Sequence, residues 1–188
     1  MATTGRQEEL LKQITEMFLN EGFYDLTLDD LTRRLRCSKT TLYVLGGNKD
    51  QLVTTIVIRY FREATEFIEA RTAAAGDNPV DRIAAYVTAV GEALHRASPA
   101  FMGDVSRHYV ASAIYERNAD FVATRVSELI AEGVESGDFR PVHAAFVADL
   151  LAIAIERIQS GRLREATGLE DAEAFDELAK LLLHAITP

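Results

Sequence analysis

Seven side chains in the stretch Thr27–Leu52 (TLDDLTRRLRCSKTTLYVLGGNKDQL) could grip a polyanion: Thr27, Ser38, Lys39, Thr40, Thr41, Tyr43 and Lys49. Serine, threonine and tyrosine hydroxyls donate to phosphate oxygens, and threonine methyls can meet a thymine methyl in a major groove. A lysine ammonium reaches either a phosphate or a guanine edge. Arg33, Arg34 and Arg36 lie among them, and no carboxylate interrupts the run from Leu31 to Lys49. The chain as a whole carries a net charge of −9, so this concentration of cations is local. Basic charge on a compact two-helix unit is what contact with nucleic-acid phosphates requires, and it is the helix-turn-helix pattern of the same stretch that makes double-stranded DNA the expected partner.

The elements that must position these residues are legible around them. Thr27 followed by Asp30 has the spacing of a capping box, and Leu28, Leu31 and Leu35 form one apolar stripe on a short helix. Ser38 is an N-cap for a second short helix through Tyr43, with Leu42 turned inward and Lys39, Thr40, Thr41 and Tyr43 turned mostly outward. Asn48 starts a third helix with Gln51 at its N3 position. Two short helices joined by a turn make a helix-turn-helix, whose second helix lies in the major groove while the first crosses the backbone. Lys39–Tyr43 would then enter the groove, with Thr27 and Lys49 on phosphates. The alternative is a helical sensor or interaction module that has lost specific DNA binding.

Gly22, Phe23, Thr27, Leu31, Ser38, Lys39, Thr41, Leu42, Tyr43, Lys49 and Leu52 stand in an order and spacing that resembles the N-terminal domain of tetracycline-repressor (TetR) type transcription regulators. The resemblance runs without a gap from Gly22 to Leu52, and the late segment EGVESGDFRPV (Glu132–Val142) resembles a loop of the same family. It implies a homodimer, a palindromic operator, and a C-terminal cavity for a small-molecule effector, most simply in a repressor released by that effector. Two departures stand out. Arg36 and Cys37 replace the usual glycine-containing turn, so either Arg36 bears strain or the turn takes a different form. Gly46 replaces an aromatic anchor, so the junction around Gly46–Gly47 is expected to be loose.

The remaining sequence predicts an all-α chain of about nine helices. Residues 1–47 form the helix-turn-helix domain, and 48–188 form a helical ligand-binding and dimerisation domain. Leu10, Leu11, Ile14 and Phe18 line the first helix, which Gly22 ends. The helix from Asn48 stops near Gly76. Asn78-Pro79 and Ser98-Pro99 open helices over 79–97 and 99–112, and others follow over 116–136, 142–161 and 171–186. Residues 1–50 hold seven basic and eight acidic side chains (net −1), and 51–188 hold 13 and 21 (net −8). An acidic body confines DNA to one basic face and argues against indiscriminate coating of nucleic acid.

The chemistry of an enzyme is not visible. Glu92 and His95 have the Glu-x-x-His spacing of di-iron bundles, but no second copy exists. No nucleophile elbow, zinc-protease, phosphate-loop or dinucleotide motif occurs, so no catalytic residue, metal or cofactor is expected. No apolar run is long enough for a membrane span, and the polar N-terminus lacks the core of a secretory signal. A lone Cys37 suits a reducing, cytoplasmic setting.

Pockets for small molecules are lined mainly by apolar and aromatic groups with a few polar ones. Phe61, Tyr86, Phe101, Met102, His108 and Tyr109 are the candidates for such a lining. Val142–Ile158 is apolar on nearly every side, and the last helix is wider in its apolar face than one stripe needs. A two-fold interface through Phe146, Leu150, Ile153, Phe175, Leu178 and Leu182 is therefore expected, as a four-helix bundle of the two copies.

Overall fold

A computed structural model describes the backbone of residues 2–188 and the side chains of residues 5–170 and 173–188. Its described residues form ten helices and no strand: α1 (Ala2–Glu21), α2 (Leu28–Leu35), α3 (Lys39–Gly46), α4 (Lys49–Ala74), α5 (Pro79–His95), α6 (Pro99–Arg107), α7 (Tyr109–Ser136), α8 (Ala144–Gln159), α9 (Arg162–Thr167) and α10 (Asp171–Ile186). They group into two compact units. One holds residues 1–62 and 96–115, the other 63–95 and 116–188.

The first unit is built on α1, α2, α3, the start of α4, and α6. Ile14 and Phe18 of α1, Leu31 of α2, Leu42 of α3 and Leu52 and Ile56 of α4 are almost wholly withdrawn from solvent. Burying an aliphatic side chain of that size contributes roughly 1.5–3 kcal/mol. Leu42 is the one fully buried residue of α3 and Leu45 packs partly buried beside it, so the helix docks on that side and leaves its polar face free. An aromatic chain runs through the same core, with Phe18 on Phe23 at 5.5 Å, Phe23 on Phe101 at 5.9 Å and Phe101 on Tyr60 at 5.5 Å between centroids.

The second unit packs α10 on α5 and α8, with Ile83, Tyr86, Leu129, Ile130 and Ile186 at its centre. Its surface carries ion pairs such as Arg82–Glu132 at 2.7 Å and Arg125–Glu128 at 3.0 Å. The segment after α7 is pinned to the end of α10, where the Arg140 N–H donates to the Ile186 carbonyl at 2.8 Å.

The structure differs from the sequence expectation in several places, among them the start of α7 at Tyr109 where a helix was expected from about 116. The helix opened by Pro99 ends at Arg107, not near 112, because His108 leaves helical geometry (φ −95°, ψ 114°). Its Nδ1 then accepts the Ala111 N–H at 3.3 Å and caps the helix that follows. The short α9 is a tenth helix, enclosed by Gly161 and Gly168, both at positive φ. The Gly46 junction is tight where a loose one was expected. A Cβ at Gly46 would stand 2.6 Å from both Cα and N of Leu52, so α4 passes too close for any side chain there.

Candidate nucleic-acid interface

Side-chain caps set the two short helices in place. Thr27 Oγ1 accepts the Asp30 N–H at 3.1 Å, and Asp30 Oδ2 accepts the Thr27 N–H at 3.1 Å, which completes the capping box. Hydrogen bonds from Thr27, reinforced by Arg33, hold the Asp30 carboxyl below its usual range. Ser38 Oγ accepts the Thr41 N–H at 3.1 Å and shares a hydrogen bond with the Thr41 hydroxyl at 2.9 Å. Between the helices, Arg36 sits in the left-handed region (φ 50°, ψ 44°), the only described residue other than glycine with positive φ. Of the two forms expected for this turn, the strained one is present.

The geometry leaves a polar surface on α3. Lys39, Thr40 and Tyr43 are exposed and Thr41 is half-buried. Lys49 opens α4 beneath an Asn48 cap, whose Oδ1 accepts the Gln51 N–H at 2.9 Å. Four of the five cations in the run, Lys39, Arg33, Arg34 and Lys49, have a partner nearby. Lys39 Nζ lies 2.7 Å from Asp29 Oδ1, and this hydrogen-bonded carboxylate pushes the ammonium pKa up. Arg33 pairs with Asp30, and Arg34 pairs with Glu21 at 2.6 Å. Lys49 Nζ donates to the Tyr24 carbonyl at 2.7 Å. Three of the five cations between Leu31 and Lys49 are thus answered by carboxylates that precede the run in sequence.

Three contributors escaped the sequence reading. Asp104 of α6 is 5% exposed, and its Oδ2 accepts the N–H groups of Phe23 at 2.6 Å and Tyr24 at 2.8 Å. Gly22 (φ +80°) leaves the room for this, because a Cβ there would overlap Asp104 Oδ2. Tyr24 is the second: Arg107 stacks on its ring at 4.8 Å while Lys49 takes its carbonyl. Asp29 is the third. No local pattern could reveal Asp104, which is brought from some 80 positions away. Asp29 follows a usable rule, a carboxylate in the first turn of α2 where the helix dipole favours it.

The six aromatic and polar candidates for a pocket are divided between the units. Phe61 and Phe101 are buried in the first core, with Met102 partly buried against it and His108 edge-on to Phe23 at 5.9 Å. Tyr86 is buried in the second core, where desolvation raises its phenol pKa, and Tyr109 is 88% exposed. None of the six lines the open groove of about 450 Å³ between α7 and α8, whose walls include Ala123, Ser127, Glu128, Ala145 and Asp149. Of the expected interface residues, Phe146, Leu150 and Ile153 are exposed on one face of α8. Phe175 and Leu182 are buried within the single chain and Leu178 is half-buried. Glu92 pairs with Arg71 at 2.8 Å, and among the described residues no group of three or more His, Cys, Asp and Glu could hold a metal ion. Nor is any described helix long and apolar enough to cross a membrane.

No family model and no curated protein matches the chain. Solved structures do. A candidate transcriptional regulator from Saccharomonospora viridis in complex with choline aligns at TM-score 0.82 and 14% identity, over 98% of this chain and 99% of that one. A TetR-family regulator from Agrobacterium tumefaciens aligns at TM-score 0.76 and 14% identity, over 99% of this chain and 100% of that one. AibR, in complex with isovaleryl coenzyme A and operator DNA, aligns at TM-score 0.67 and 16% identity, over 94% and 97%. Over nearly its whole length, the chain has the fold of the TetR-family transcriptional regulators.

Proposed function

We propose that this protein is a dimeric, sequence-specific DNA-binding transcriptional regulator, a cytoplasmic repressor released by a small-molecule effector. The observation that carries the reading is α3: a helix docked by Leu42 and the partly buried Leu45, presenting Lys39, Thr40 and Tyr43 to solvent. Those side chains supply guanine, thymine and phosphate contacts in a major groove. Thr27, Ser38 and Thr41 fix the helix ends and have hydroxyl lone pairs and edges left for the backbone. Lys49 has only to exchange the Tyr24 carbonyl for a phosphate. That AibR holds operator DNA and an acyl coenzyme A, and the Saccharomonospora protein holds choline, supports both halves of the reading.

Two copies are needed to read a palindrome, because a two-fold operator mirrors a two-fold protein. The support for a dimer is the uncovered face of α8, where Phe146, Leu150 and Ile153 are 60%, 49% and 51% exposed at spacings of four and three. Leu181 of α10, the helix packed on α8, adds a further apolar side chain at 67% exposure. Contiguous exposed apolar surface of this kind marks a protein interface. An effector would act by preferring the conformation that does not bind DNA, and only to the extent of that preference.

Footprinting on the DNA flanking its own gene, with and without candidate effectors, tests the reading. Protection of a short palindromic site by the wild type and its loss in Lys39→Ala is the expected result. Uniform protection, or none, would refute it.

A further inference from the structure

We propose that Asp29 sets the specificity of this interface by pairing with Lys39, discriminating against phosphate contacts in favour of a guanine edge. The proposal rests on the DNA-binding reading above. Lys39 is the first residue of α3, where the positive end of the helix dipole disfavours a cation. Asp29 lies in the first turn of α2, where the dipole favours an anion. The two meet at 2.7 Å although each is largely exposed, 54% and 72%. Their backbones are fixed independently, one by the Thr27–Asp30 capping box, the other by the Ser38 cap and the burial of Leu42.

The pair treats the two possible DNA contacts differently. An ammonium has three donors, so Lys39 can hold Asp29 and a guanine O6 or N7 together. The base edge is uncharged and tolerates the carboxylate beside it. A phosphate does not: if Lys39 moves to it, Asp29 is left next to an anion, and like-charge juxtaposition opposes the complex. Arg33–Asp30 and Arg34–Glu21 mask further cations in the same unit, so the non-specific attraction of the head is low where a free basic run would make it high.

The test measures affinity for two duplexes across a salt series by fluorescence anisotropy. One duplex is the site that wild-type protein enriches from a random-sequence pool, and the other is its shuffled counterpart. Asp29→Asn should raise affinity for the shuffled duplex about three- to tenfold, leave the enriched site within about twofold, and steepen the salt slope on shuffled DNA by about one. Asp25→Asn removes the same charge from an exposed position in the same unit, and should shift both affinities alike. In a Lys39→Gln background the effect of Asp29→Asn should vanish. An unchanged ratio of affinities, a parallel rise like that of Asp25→Asn, or an effect that survives without Lys39 would overturn the proposal. A pool in which wild type enriches no sequence would instead overturn the DNA-binding reading and this inference with it.

Discussion

The carboxylate of Asp104 holds the backbone N–H of Phe23 at 2.6 Å, across 81 positions of sequence. With the second bond to Tyr24, it ties α6 to the turn that precedes the helix-turn-helix. Lys49 closes the same turn from the other side through the Tyr24 carbonyl. A buried carboxylate, a stacked tyrosine and the lysine that opens α4 thus share one short stretch of backbone.

Removing that carboxylate leaves two backbone donors without their acceptor, one of them buried. Asp104→Ala should therefore cost about 1–3 kcal/mol of stability. Urea unfolding followed by circular dichroism reads this as a lower midpoint at constant slope. A midpoint equal to wild type would show that water replaces the carboxylate freely.

The left-handed turn at Arg36 makes the opposite prediction. An L side chain in this region costs on the order of 1 kcal/mol that glycine does not, partly offset by the greater freedom of glycine in the unfolded chain. Arg36→Gly should then stabilise the protein by about 0.5 kcal/mol and raise its melting temperature. A loss of stability would mean that the Arg36 side chain makes a contact outweighing the strain.

How far the sequence could be read follows from where the information lies. The caps at Thr27, Ser38 and Asn48 are local, each a side chain bonded to a backbone N–H three residues on, and they stand as expected. The all-helical class and the two proline-led helix starts are equally local. The break expected between 112 and 116 lies at His108, because a histidine cap has no strong sequence signal, and α9 was missed because six residues between glycines are too few to show a helical period. Gly46 was misread for a different reason. The missing aromatic suggested a gap, whereas the space is taken by the α4 backbone at Leu52, a fact of tertiary packing. The carboxylates facing the basic run stand outside it in sequence, at Glu21, Asp29 and Asp30, so counting charges inside the run overstated the free positive charge.

At the interface itself, Lys39→Ala and Tyr43→Ala should each weaken specific binding by about 1–3 kcal/mol. Lys49→Ala should act differently, lowering affinity for all sequences and reducing the salt slope by about one unit. Titrations of a specific and a shuffled duplex at several salt concentrations separate these patterns. Unaltered affinity in all three variants would contradict the assignment of α3 and the start of α4.

The two apolar helices predict a contrast between leucines. Leu150→Glu places a charge on the exposed face of α8, and should give folded monomers by sedimentation or light scattering. Leu182→Glu buries a charge in the core of its own subunit, where Leu182 is 5% exposed, and should unfold the protein at lower denaturant. A dimer that survives Leu150→Glu and Phe146→Glu together would place the interface elsewhere.

Selection of duplexes from a random-sequence pool, followed by sequencing, tests the central claim most directly. The account predicts that wild-type protein enriches one two-fold symmetric site, with half-site centres about 34–36 Å apart or a multiple of that, and that Lys39→Ala loses the enrichment. A pool left without any enriched sequence, under conditions where the protein is folded and free of effector, would contradict it.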